Sequence, residues 1–111
     1  MNLTMDLNST MRGLEIFSRI QPDMQLTTLR TFLFVAQRGK CNQADIEQYL
    51  GVSRAAVSRN VDYWTNVKFD GREGINFICR EEDPDDRRNK IVKLTERGKT
   101  FYERLRGISG S

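Results

Sequence analysis

The chain has 111 residues, 38% of them hydrophobic and 30% charged, with 18 Lys and Arg against 15 Asp and Glu and no histidine. That length suits one compact domain with a modest core, which a partner subunit would help to cover. Without histidine, the commonest general acid–base group and metal ligand is missing, so an enzyme is the weakest expectation and neither a cofactor nor a metal is expected.

The predicted elements follow in chain order. Asn8, Ser9 and Thr10 offer capping oxygens, and Met11, Leu14, Phe17 and Ile20 then recur at near-helical spacing up to Pro22. A second helix starts at Thr27 and Thr28, carries Leu29, Phe32, Leu33 and Ala36 as its apolar stripe, and stops at Gly39. Asn42 caps a short third helix whose inward face is Ile46, Tyr49 and Leu50. After Gly51, Ser53 caps a fourth helix with Val57, Val61 and Trp64 on its buried side. Residues 69 to 74 read as a loop, Ile75 to Arg80 as a strand, the acidic stretch through Pro84 to Asn89 as a turn, and Lys90 to Leu94 as a second strand. Thr95 caps a last helix with Phe101, Leu105 and Ile108 on one face, although Gly98 weakens its first turn. The order is helices, a two-stranded hairpin and a closing helix: a mainly α fold with a small β-hairpin (α+β), the winged-helix plan.

Residues 43 to 64 carry the chemistry. Gly51 accepts the left-handed backbone of a sharp turn, Val52 points inward, and Ser53 satisfies free amides at the start of the next helix. Small Ala55 and Ala56 let that helix end approach a groove, while Arg54, Ser58, Arg59 and Asn60 supply donors for base edges and phosphates. Gln43, at the start of the preceding helix, is placed to donate to the phosphate backbone. Net charge is only +3, but its distribution is uneven. Five acids lie between Glu81 and Asp86, and eight bases against two acids lie between Arg87 and Arg106.

Two stretches read together resemble the MarR (multiple antibiotic resistance regulator) family of winged-helix transcription factors. One runs from Gln43-Ala44-Asp45-Ile46 through Leu50-Gly51-Val52-Ser53 to Val57-Ser58-Arg59. The other is Asp83-Pro84-Asp85-Asp86-Arg87-Arg88, continuing through Val92-Lys93-Leu94-Thr95-Glu96-Arg97-Gly98. The second is similar to the family's wing signature, D-x-R followed by strand residues and L-T-x-x-G. The resemblance implies a wing-tip arginine, Arg88, that enters the minor groove and an aspartate, Asp86, that orients it. A narrow minor groove favours a planar, weakly hydrated guanidinium. Arg87, Asn89 and Lys90 then hold flanking phosphates, and the remaining acids stay exposed.

The expectation is a sequence-specific regulator of double-stranded DNA, a repressor by promoter occlusion, built as a homodimer. Residues 1–22 form an amino-terminal helix that serves as dimerisation arm, 23–106 the DNA-binding domain, and 107–111 a frayed tail. Met11, Leu14, Phe17 and Ile20 with Phe101, Leu105 and Ile108 supply the dimer face. The segment from Thr65 to Gly74 is longer than the family's usual step from recognition helix to wing, and no pocket for a phenolic effector is supported. The rival readings are a winged-helix protein-interaction module and a replication or partition factor. No apolar run approaches the roughly 20 residues that span a bilayer. The amino terminus lacks the features of a secretory signal. Two cysteines make no disulfide scaffold, so a cytoplasmic protein without a membrane partner is expected. Cys41 and Cys79 read as small buried hydrophobes, and Phe32, Phe34, Tyr49, Tyr63 and Trp64 as packing residues.

Overall fold

A computed structural model describes residues 6–68, 71 and 73–109, the side chains of 108 and 109 excepted. Eight elements follow one another: α1 (Leu7–Ile20), α2 (Leu26–Arg38), β1 (Lys40–Asn42), α3 (Gln43–Leu50), α4 (Arg54–Trp64), β2 (Ile78–Asp83), β3 (Asp86–Leu94) and α5 (Glu96–Ser109). The strands form one antiparallel sheet in the order β1-β3-β2. The mainly α architecture with a winged hairpin is therefore present, with a third strand added at the hairpin's other edge.

Local chemistry sets most boundaries. Asp6, rather than the residues after it, caps α1, its side chain accepting from the backbone N–H groups of Asn8 and Ser9. Asn42 and Asp45 close a reciprocal capping box on α3. Gly51 ends that helix at φ 69°, ψ 34°, the left-handed conformation that a side chain makes costly. Ser53 Oγ accepts from the Ala56 N–H at 3.1 Å and starts α4.

The hairpin departs from its predicted limits. Residues 75–77 are not strand; β2 starts at Ile78 and runs through the acids to Asp83, and β3 starts at Asp86 rather than Lys90. Only Pro84 and Asp85 turn. Proline presets φ for the second position of a tight turn, and Asp83 Oδ1 accepts from the Asp85 N–H at 2.9 Å. The acidic run is thus strand, because its partner β3 completes the ladder.

The core gathers around Trp64, which is fully buried and donates its indole N–H to the Thr28 carbonyl at 2.8 Å. Phe32 lies 5.1 Å from it and Phe77 stacks on it at 5.9 Å; Phe101 in turn stacks on Phe77 at 4.6 Å. Rings from α1, α2, α4, α5 and the link before β2 therefore meet in one cluster, each pair worth about 0.5–1.5 kcal/mol beyond its burial. Two expectations are corrected here. Tyr49, placed inward by spacing, is 48% exposed and stacks on Phe34 at 4.4 Å between Arg30 and Arg38. Phe17, Phe101 and Leu105, assigned to a dimer face, are buried within the protomer, because the aromatic cluster needs them there. The side chain of Ile108 lies outside the described residues.

Gly98 has a positive reason to be where it is. The carbonyl of Phe77 accepts from the Thr95 N–H at 3.0 Å, and a Cβ at position 98 would collide with that same carbonyl. Thr95 Oγ1 caps the helix by accepting from the Gly98 N–H at 3.0 Å.

Candidate nucleic-acid interface

The glycine turn and the serine cap lay out α3 and α4 as a helix-turn-helix, and α4 sinks Val57, Val61 and Trp64 into the core. The other side of its first turns faces solvent: Ser53, Arg54, Ala55 and Arg59 are exposed, and Ala56, Ser58 and Asn60 are half-buried. Arg54 pairs with Glu47 of α3 at 3.5 Å across the turn. Among the described residues, no ion pair or side-chain hydrogen bond holds the guanidiniums of Arg59, Arg87 or Arg88, and all three are exposed.

Other expected contacts are already engaged, each with donors to spare. Asn60 Oδ1 accepts from the Thr28 hydroxyl at 2.7 Å, which leaves its NH₂. Gln43 Oε1 accepts from Arg80 Nε at 2.8 Å, which likewise leaves its amide nitrogen. Asn89 Oδ1 accepts from the Ala44 N–H at 3.2 Å and so ties the wing to the first turn of α3. Asp86 Oδ1 accepts from the backbone N–H of Arg88 at 3.1 Å, not from its guanidinium. It shapes the chain at Arg88 and leaves the charged group outward.

The acids of β2 were expected to be exposed, and Glu81 and Glu82 are. The register also sets them against β3: Glu82 pairs with Lys90 at 3.2 Å and Glu81 with Lys93. Hydrogen bonding to Lys93 holds the Glu81 carboxyl below its ordinary range and raises the Lys93 ammonium. Lys90, expected on a phosphate, thus has an acidic competitor beside it.

The residue missed altogether is Arg80. Strand alternation puts Ile78, Arg80 and Val92 on the inner face of the sheet and Lys40, Cys79 and Lys93 on the outer one. From the inner face Arg80 reaches Gln43, Asp62, and both the carbonyl (2.9 Å) and hydroxyl (3.4 Å) of Ser58. A cation at an inward strand position would have signalled a carboxylate partner, but only with β2 in its true frame.

Of the two cysteines expected to be buried, Cys41 is and Cys79 is not fully so. Cys41 is buried and its thiol is pushed up to about 11, first by burial and then by Asp45; Cys79 is half-buried, and both are free. No helix among the described residues is long and apolar enough to cross a membrane, and no group of residues there has the makings of a metal site.

Against known proteins, the MarR family model matches residues 23–66, from the link between α1 and α2 through α4. No curated protein matches the chain by sequence. Among solved structures, a cysteine-to-serine mutant of MarR from E. coli complexed with operator DNA superposes with a TM-score of 0.65 at 19% identity, over 94% of this chain and 67% of that one. Reduced AbfR bound to DNA gives 0.64 at 15%, over 91% and 66%. A probable transcriptional regulator from Pseudomonas aeruginosa gives 0.61 at 22%, over 91% and 74%. The chain spans about two thirds of the length of the first two. With its helix-turn-helix and its wing, the chain has a winged helix-turn-helix fold similar to that of MarR.

Proposed function

We propose that this protein is a sequence-specific transcription regulator that binds double-stranded DNA as a homodimer, with repression by promoter occlusion as its mode of action. The observation that carries the reading is the set of three exposed guanidiniums that no side-chain hydrogen bond or ion pair holds among the described residues, Arg59 on α4 and Arg87 and Arg88 on the wing, displayed on a MarR-like frame. Solved structures of that fold include MarR on operator DNA and AbfR on DNA.

In this reading the amino end of α4 enters the major groove. Ala55 and Ala56 allow the close approach, and Arg54, Ser58 and Asn60 face base edges and the flanking backbone. Arg59 neutralises a phosphate. Ser53, its oxygen already accepting from Ala56, keeps its hydroxyl proton to donate, and Gln43 donates from its amide. Arg88 enters the minor groove beyond the recognition site, with Asp86 shaping the backbone that presents it, while Arg87, Asn89 and Lys90 meet flanking phosphates. The dimer rests on Leu7, Met11 and Leu14, which are 68%, 58% and 48% exposed along α1. Leu14 also lines an open apolar cleft of about 340 Å³, together with Leu29, Leu33 and Leu105. A second copy covers this strip, and two recognition helices then meet half-sites about 10 bp apart.

Fluorescence anisotropy on duplexes selected from a random pool tests the function. Arg88→Ala should weaken binding about 10- to 100-fold, and the wild-type affinity should fall with salt at a slope near −0.9 per phosphate contact. Absence of any salt-dependent duplex binding by the wild-type protein would sink the reading.

A further inference from the structure

We propose that Arg80 is a positioning residue that locks the wing to the recognition helix, so that hairpin and α4 meet the duplex as one rigid unit. Its consequence for DNA rests on the function proposed above; its consequence for the free protein does not. The link just before β2 is tied to the end of α4 by two backbone bonds, Phe77 N–H to the Trp64 carbonyl at 2.8 Å and Asn76 N–H to the Thr65 carbonyl at 3.0 Å, and by the Phe77 ring stacked on Trp64. Beyond Ile78 the hairpin projects towards Pro84 and Asp85, and there, among the described residues, Arg80 is the side chain that hydrogen-bonds back to α4. The guanidinium bonds one helical turn of α4, the Ser58 carbonyl and the Asp62 carboxylate, and at the same time Gln43 Oε1 at the first turn of α3. Its side chain is 22% exposed and that of Asp62 35% exposed, so the pair is partly shielded from water.

A guanidinium is required for this. Three acceptors in different directions need the planar fork of arginine, and a lysine ammonium, a compact point charge on a flexible stem, cannot hold all three at once. Ser58 matters as well. It lies on the face proposed to read bases, and Arg80 fixes both its carbonyl and its hydroxyl, so the wing's position and the recognition helix's readout are set by one group. The Asn89 to Ala44 bond holds the hairpin to α3 but does not touch α4.

The test compares wild type with Arg80→Lys, and with Asp62→Asn as the milder release should Arg80→Lys fail to fold. Amide hydrogen exchange on the free protein comes first. The hairpin amides of residues 81 to 90 should exchange about tenfold faster in the variant, with the α2 amides unchanged. Equal hairpin protection in wild type and variant overturns the proposal whatever happens with DNA. Binding to a duplex selected by the wild type comes second. In the wild type, Arg88→Ala should cost about tenfold or more, but in the Arg80→Lys background less than about twofold, because a loosened wing no longer contributes. An Arg88→Ala cost that is the same in both backgrounds makes Arg80 a structural residue only and ends the proposal. If the wild type binds no duplex, the DNA function fails separately, and the exchange result alone decides whether Arg80 locks the wing.

Discussion

One missing Cβ and one side chain define what the residue scale contributes. Gly98 sits where a methyl group would collide with the Phe77 carbonyl, and that carbonyl is backbone held by Thr95, so it cannot move aside cheaply. Gly98→Ala should therefore destabilise the protein by about 1–3 kcal/mol in urea unfolding, although alanine is the better helix former. An alanine variant as stable as wild type would refute the packing argument. Cys41 makes the opposite point about reactivity. With its thiol at about 11, it should alkylate at pH 8 at least about a hundredfold more slowly than in the urea-unfolded chain. The sign for stability follows: the unfolded thiol ionises near 9 while the folded one stays protonated to about 11, so stability is lost as pH rises through that window. Mass spectrometry of iodoacetamide-labelled protein reads the rate site by site.

Among the elements, the wing shows how pairing reassigns charge. Its acids and bases face each other across β2 and β3, so Glu82 and Lys90 partly cancel before any phosphate arrives. The pair is exposed and adds little to stability, about 0–1 kcal/mol. Its effect on a polyanion is larger. Glu82→Gln should raise duplex affinity about two- to fivefold at low salt, with the gain shrinking as salt screens it. Anisotropy titrations at two ionic strengths measure this, and an affinity unchanged at both would show that Lys90 does not meet the DNA. The caps were legible in the sequence because they act over three or four residues: Asn42, Ser53 and Thr95 each accept from an N–H three residues ahead. The limits of β2 were not, because acidic residues have poor strand propensity and only the ladder with β3 makes them a strand.

For the whole molecule, the balance lies between the apolar surface that α1 spends inside and what it leaves outside. Phe17 closes the aromatic cluster, whereas Leu7, Met11 and Leu14 remain uncovered. A domain of this size has little core to spare, so leaving that strip in water is costly. Met11→Asp together with Leu14→Asp should convert a dimer to a monomer by analytical ultracentrifugation while the helical circular dichroism is kept. The same double variant should bind a single half-site no more weakly than wild type but lose the gain from two. A wild type that sediments as a monomer at tens of micromolar would remove the dimer from the account.

By itself, the sequence determined the helix-turn-helix, its caps and its glycine turn, the wing, and the set of cations available to a polyanion. These are written in short-range spacing, in which a residue's role depends on neighbours within one or two turns. The tertiary structure decided the rest. Lys40 to Asn42 is too short to carry an alternating signal, and becomes a strand only because Asn42 pairs with Ile91 of β3. Tyr49 turned outward, and Phe17, Phe101 and Leu105 turned inward, because a stripe on one helix does not say which neighbour covers it. Arg80 acquired its partners from α3 and α4, which lie 37, 22 and 18 residues away along the chain. Contacts that distant are settled by packing and register, and no local pattern encodes them.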